Sequence, residues 1–417
     1  MSDIIIKPSK LNGEVTAPPS KSDVHRAIIC AALSGGVCKV APVALSNDIK
    51  ATIGCVNALG ASTNIEGDIL TVDGRNLFKN KKAVLNCIES GSTLRFFVPI
   101  AAAGGIDAEF VGSGSLLKRP VGLFKEILPS AGVEVKTDGN LPLTIKGQLK
   151  SGDFSVAGNI SSQYITGLLL ALPLLGGDSR IILTTKLQSA GYVDMTISCM
   201  KKYGVVVDKT DYGFFIKGNQ SYKPQNYITD GDWSQAAFFL AAGVVSGGVK
   251  VNGVDINSAQ GDKEIVELLR RFGAEPEISD NFVRVKESTL RGIKIDAENI
   301  PDLVPILSVT ASCAEGVTEI YNAERLRIKE SDRLKTTAEM INSLGGDCEE
   351  KPDGLIIRGT GGFKGGFVNG SNDHRIVMSA SVAALKSAGE VRISDMESIN
   401  KSFPNYFEEY KKLGGVL

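Results

Sequence analysis

The sequence predicts an α/β protein of two domains assembled from six copies of one unit. Three features carry that expectation: a helix-ending glycine that recurs with a period near seventy, a hairpin pattern after most of those glycines, and an apolar helix with a polar start in every copy. The glycines are Gly60, Gly132, Gly204, Gly273, Gly345 and Gly414, with gaps of 72, 72, 69, 72 and 69. A glycine in this setting supplies the left-handed stop of a helix, and six in register mark an internal repeat.

Within a unit the order is helix, strand, helix, strand, turn, strand. The first helix is mostly apolar and ends at a small-residue pair such as Gly35-Gly36, Gly104-Gly105 or Gly247-Gly248, which introduces a strand. An amphipathic helix then runs to the periodic glycine. After the first five glycines, two short apolar runs flank turns at Gly67-Asp68, Asp138-Gly139, Asp211 to Gly213, Asp280-Asn281 and Asp353-Gly354, the signature of a hairpin. The sixth unit runs out at Leu417 where its closing strand should begin, and residues 3–8 (DIIIKP) have the character of that strand. The termini are therefore expected in one domain. The units divide three and three, giving a first domain over residues 13–228 and a second over residues 1–12 with 229–417, with the active site in the cleft between them.

Composition narrows the function. Of 417 residues 43% are hydrophobic and 22% charged, as in folded soluble proteins, and 46 Lys plus Arg nearly cancel 47 Asp plus Glu. No global field exists to hold nucleic acid or an acidic membrane, so any anion site must be local. Seven scattered cysteines without a CxxC pair argue against a disulfide framework or a zinc site and fit a reducing cytoplasm. No signal architecture or membrane-length apolar run is present, and a cytoplasmic monomer is expected. GxxxxGK[ST] and strand-linked GxGxxG motifs are missing, which removes the main support for ATP or dinucleotides.

The chemistry concentrates at the polar starts of the apolar helices: Ser20-Lys21-Ser22, Ser90-Gly91-Ser92-Thr93 with Arg95, Ser161-Ser162-Gln163, Asp232 with Ser234-Gln235, Asp302, and Asn372-Asp373-His374-Arg375. Capping explains the hydroxyls and carboxylates. It does not explain Lys21, Arg26, Arg95 and Arg375, because a cation near a helix N-terminus opposes the dipole unless an anion sits among them. Loops entering the second helices add Lys118-Arg119-Pro120, residues 189–192, Lys329-Glu330-Ser331-Asp332-Arg333 and Lys401-Ser402-Phe403-Pro404, with Pro120 and Pro404 expected in a first helical turn. The two histidines, His25 and His374, lie in these cationic clusters without metal-ligand spacing and read as groups that position their neighbours.

The strings PPSKSDVHRA, ESGSTLRFFVP, LLKRP, NISSQYITGLLLALPL, PDLVP, RIKESDRL, SNDHRIVM and INKSFPNYF, in this order along nearly the whole chain, resemble the 5-enolpyruvylshikimate-3-phosphate synthases, a family of enolpyruvyl transferases. The resemblance implies a two-domain inside-out α/β barrel, each domain made of three βαβαββ units. It implies that Lys21, Gly91, Arg119, Gln163, Arg333, Arg375 and Lys401 hold phosphoenolpyruvate. Lys21, Ser22, Arg26, Ser161, Ser162, Gln163, Ser189, Asp302, Arg325 and Lys329 are implied for shikimate 3-phosphate. Arg325 stands where many relatives have Asn, and Glu89 where an Asn is common. The implied reaction is addition and elimination through a tetrahedral ketal phosphate. Asp302 is expected as base toward the 5-hydroxyl and Glu330 as acid toward the methylene, with Lys21 as a cationic proton partner and neither metal nor cofactor.

Two other readings use the same repeats. UDP-N-acetylglucosamine enolpyruvyl transferases share the donor but place a reactive Cys in a mobile loop and an Asn after the N-terminal Lys, where this chain has LLKRP and Ser22. A non-catalytic anion-binding or RNA-end-binding module is disfavoured by the even charge and by the lack of an aromatic-studded basic face.

Overall fold

The computed structural model describes residues 2–417, which group into two compact units. One is continuous, Pro19–Thr229; the other joins residues 2–18 to Asp230–Leu417. Among the described residues twelve α-helices follow in chain order: α1 (Lys21–Leu33), α2 (Asn47–Ala58), α3 (Gly91–Ala103), α4 (Leu123–Ile127), α5 (Ser162–Ala171), α6 (Ala190–Lys202), α7 (Trp233–Val245), α8 (Ile265–Phe272), α9 (Val304–Ser312), α10 (Arg333–Ser343), α11 (His374–Leu385) and α12 (Tyr406–Lys412).

The odd-numbered helices are the cores. Every residue of α7, α9 and α11 is buried, and α1, α3 and α5 expose only a few positions near their ends. A helix that is apolar all round must be enclosed. The even-numbered helices are one-sided: α8 buries Ile265, Val266, Leu268, Leu269 and Phe272, the spacing of a single helical face. All six periodic glycines have positive φ, from 81° at Gly204 to 112° at Gly273, so each ends its helix in the left-handed conformation the repeat predicts.

Each unit carries three small sheets. In the continuous unit every sheet has four strands, with the hairpin strands antiparallel and the outermost strand parallel to its neighbour. Lys82–Asn86, for example, pairs with Asp107–Val111, which pairs with Leu143–Gly147 and then Val133–Lys136. The five turn sequences all close antiparallel pairs. The N-terminal strand Ile4–Ile6 pairs antiparallel with Val391–Ile393, and Lys7 bridges Val416, so the chain start closes the sixth sheet.

The crossings hold an exchange that the repeat does not announce. Leu11–Thr16 precedes α1 yet pairs in parallel with Gly247–Asn252 of the fourth copy, while Tyr227–Ile228 precedes α7 yet pairs in parallel with Val37–Ala41 of the first. The grouping therefore changes after Pro18 rather than at Gly13, because strand pairing holds residues 11–16 to the C-terminal part.

Two local expectations change. The second helix of the second copy shrinks to the five residues of α4, because Pro129 lacks an amide hydrogen and the chain continues as a 3-10 turn. Pro120 and Pro404 lie ahead of α4 and α12, not in their first turns, since short stretches of other conformation intervene. Among the described residues no helix is long and apolar enough to cross a membrane.

Candidate active site

The sequence-selected residues fall into two sets, one on each unit. On the continuous unit α1, α3 and α5 deliver them. Lys21, the first residue of α1, donates to Asp48 Oδ2 of α2 at 2.7 Å. Ser20, preceding it, is buried and its Oγ has no hydrogen-bond partner among the described residues. Ser90 caps α3 by accepting from the Thr93 amide, and Ser161 caps α5 by accepting from the Gln163 amide.

Around Gly91 two guanidinium groups converge. A Cβ at that position would lie 2.5 Å from Arg119 Nη1 and 2.8 Å from Arg95 Nη1, so only glycine leaves both in place. Arg95 donates to Gln163 Oε1 at 2.8 Å and lies over the Tyr164 ring, while Gln163 Nε2 donates to Ser92 Oγ at 2.8 Å. Arg95, Gln163 and Ser92 thus tie α3 to α5. Arg119 is 7% exposed.

Arg26 forks between two helices. It is 3% exposed; Nε donates to Thr196 Oγ1 at 2.8 Å, Nη1 to the Ser22 carbonyl at 2.5 Å and Nη2 to the Tyr192 carbonyl at 2.9 Å. Its fork joins α1 to α6. Ser162 and Ser189 are buried and Ser22 is half-buried, and Ser189 has φ of 54°.

Strained backbone adjoins these positions. Ile88, two residues before Ser90, has φ of 52°, a value β-branched residues seldom adopt, and its carbonyl accepts from the Ser113 amide at 2.7 Å. Ser371 and Asn372, ahead of α11, also have positive φ. Such conformations persist where surrounding structure holds them, and they gather at functional sites.

On the second unit the centre is Arg333, the first residue of α10. Its Nε lies 2.8 Å from Asp373 Oδ2, Nη1 2.8 Å from Asp302 Oδ1, and Nη2 2.5 Å from Glu330 Oε2. Burial works against its charge, but Asp373, Glu330 and Asp302 more than compensate and raise its pKa further. Arg375 Nη2 lies 3.1 Å from Asp302 Oδ2 and Lys329 Nζ 3.6 Å from Oδ1. Burial would push the Asp302 carboxyl up; Arg375, Lys329 and Arg333 together hold it well below the usual carboxylate range. Burial also lowers the Lys329 pKa, with Asp302 opposing.

Lys401 donates to the Asn372 carbonyl at 2.7 Å, and Arg325 Nη2 donates to the Glu298 carbonyl at 2.9 Å. Sequence reasoning passed over Asp262. This buried carboxyl accepts from Ser234 Oγ at the start of α7, and its Oδ1 has no hydrogen-bond partner among the described residues. Burial first, then the nearby Asp302 charge, push its pKa up to about 7. The Gly261-Asp262 step was a possible signal, but no period or charge run marked it. No cluster of three or more metal-ligating side chains occurs among the described residues.

Taken singly, each unit has the architecture of an enolpyruvyl-transferase domain: three copies of one βαβαββ unit with helices inside and sheets outside. The family description for EPSP synthase (3-phosphoshikimate 1-carboxyvinyltransferase) matches residues 5–410. A 3-phosphoshikimate 1-carboxyvinyltransferase of Clostridium novyi (strain NT) is 45% identical, covering 100% of this chain and 98% of that protein. Another, from Clostridium perfringens, is 46% identical over 100% of this chain and 99% of its own length. The 2.37 Å structure of EPSP synthase from Acinetobacter baumannii matches with a TM-score of 0.82 at 27% identity, covering 99% of this chain and 98% of that one. The chain belongs to the EPSP synthase family and has its two-domain inside-out α/β fold.

Proposed function

We infer that this chain transfers the enolpyruvyl group of phosphoenolpyruvate to the 5-hydroxyl of shikimate 3-phosphate and releases phosphate. The observation that carries the reading is Asp302: a half-buried carboxylate that Arg375, Lys329 and Arg333 keep ionised can accept a hydroxyl proton. Family membership sets the reaction class, and the remaining roles below are our proposal.

Gly91, Arg119, Gln163, Arg333, Arg375 and Lys401 are assigned to phosphoenolpyruvate, with Lys21 neutralising its charge. Ser22, Ser161, Ser162, Gln163 and Ser189, with Asp302, Arg325 and Lys329, hold shikimate 3-phosphate. Two phosphates and two carboxylates need this many cations and donors. Lys21 and Arg26 complete the shikimate 3-phosphate set, Arg26 anchored by the Ser22 and Tyr192 carbonyls.

In the addition step Asp302 removes the 5-hydroxyl proton, the oxygen bonds to C2 of the donor, and Glu330 protonates the methylene to give a methyl group. Arg333 holds Glu330 at 2.5 Å, and Lys21 is assigned as the cationic proton partner of this step. In the elimination step the roles reverse: Glu330 takes back a methyl proton, the C2–O bond to phosphate breaks, and Asp302 gives its proton to the leaving phosphate.

The cytoplasm and a monomeric state complete the proposal. Six of the seven cysteines are buried and all seven are free thiols, which supports a reducing compartment.

The test is phosphate release from phosphoenolpyruvate with shikimate 3-phosphate and, separately, with UDP-N-acetylglucosamine. Release is expected with the first alone. Release only with the second, or with neither, overturns the reading.

A further inference from the structure

His25, Thr52, Thr93 and Ser90 form an unbroken buried chain through α1, α2 and α3. His25 Nδ1 lies 2.6 Å from Thr52 Oγ1, which lies 2.8 Å from Thr93 Oγ1. Thr93 Oγ1 donates to Ser90 Oγ at 2.8 Å, and the Thr93 amide donates to the same oxygen at 3.2 Å. None of the four residues is more than 1% exposed.

Counting protons fixes the direction of the chain, because a threonine hydroxyl has only one. Thr93 spends its proton on Ser90, so the proton between the two threonines belongs to Thr52. Thr52 then has none left for the imidazole, and His25 must donate from Nδ1. Its Nε2 is left as an acceptor, and that atom has no hydrogen-bond partner among the described residues. Burial first, then Lys21 and Arg26, hold the imidazole well below its ordinary range, so it carries one proton.

The chain links two helix starts through an element that carries no residue attributed to a substrate. Lys21 and His25 are four apart on α1, Asp48 and Thr52 four apart on α2, so the Lys21–Asp48 and His25–Thr52 contacts are successive rungs between two faces. From Thr52 the bonds continue to the capping residue beside Gly91.

We propose that the His25–Thr52–Thr93–Ser90 chain sets the first turn of α3, with Gly91, against the first turn of α1, with Lys21, and that Thr52 and His25 are positioning residues for phosphoenolpyruvate. This deepens the function inferred above and rests on it. Neither residue touches the substrate; each acts through the geometry of the two turns.

Thr52→Val keeps the shape and removes the relaying proton. It is expected to raise KM for phosphoenolpyruvate roughly tenfold, the scale of one hydrogen bond, and to raise KM for shikimate 3-phosphate less, since of its assigned contacts only Lys21 and Ser22 lie on these two turns. Thr52→Ser should restore the wild-type value. Equal rises in both KM values, or a lower melting temperature with unchanged kinetics, would overturn the proposal. Nitrogen NMR of the wild-type imidazoles is an independent readout, since the chain has only two histidines. A single-proton His25 with its hydrogen on Nδ1, not titrating between roughly pH 5 and 8, is expected; a hydrogen on Nε2 would sink the idea. This second measurement does not depend on turnover, so it separates failure of the chain from failure of the proposed reaction.

Discussion

Arg333 and Asp373 form an ion pair that solvent does not reach, with Nε 2.8 Å from Oδ2 and side chains 2% and 0% exposed. Asp373 also accepts the Ser331 hydroxyl at 3.0 Å and caps α11 through the Arg375 amide. Removing one member of such a pair leaves a buried charge uncompensated. Asp373→Ala is therefore expected to lower stability by about 3–5 kcal/mol, measured by urea unfolding. Asp332→Ala, which removes a more exposed cap of α10, should cost only about 1 kcal/mol.

Asp302→Ala removes the proposed base. Turnover is expected to fall by well over tenfold, with shikimate 3-phosphate binding still measurable by calorimetry. Unchanged kcat would take Asp302 out of the mechanism.

Gly91→Ala would bring a methyl group to 2.5 Å from Arg119 Nη1 and 2.8 Å from Arg95 Nη1. Both atoms end flexible side chains, so the fold should survive while the guanidinium positions shift. The expected result is a rise of roughly tenfold in KM for phosphoenolpyruvate, of the size of one displaced charged hydrogen bond. Steady-state kinetics with an unaltered KM would show that neither arginine meets the donor.

Asp262 makes stability depend on pH in an uncommon sense. Its folded pKa, raised to about 7 mainly by burial, exceeds the unfolded value, so the unfolded chain loses this proton first as pH rises. Stability from this group is complete below roughly pH 4 and declines toward pH 7 by as much as ~4 kcal/mol. Asp262→Asn should abolish that decline, so its stability relative to wild type should rise between those pH values. Parallel stability curves for the two proteins would contradict the assignment.

Much of the fold was legible because a helix that stops at a left-handed glycine must be written with glycine; all six periodic stops are found in that conformation. The polar helix starts were legible for a similar reason, since caps draw on few residue types. Pairing was not. Nothing in the string near Leu11 or Tyr227 says which sheet receives each strand, because a strand pattern records its faces and not its neighbour. Arg26 was read from its place at a helix start and Arg325 from the resemblance. Their use on carbonyls of Ser22, Tyr192 and Glu298 depends on contacts distant in sequence. Asp262 and Thr52 were silent because single polar residues inside helices and turns carry no periodic signal.

The placement of Ile4–Ile6 against Val391–Ile393, and of Leu11–Thr16 against Gly247–Asn252, imposes an order on biosynthesis. A nascent chain has every strand of the Pro19–Thr229 body once Ile228 has emerged, so that body can mature early. Leu11–Thr16 must wait, uncommitted, for Gly247–Asn252, and Ile4–Ile6 for Val391–Ile393. A ribosome that stalls before Gly247 would leave a finished Pro19–Thr229 body behind a leading segment with no strand to join.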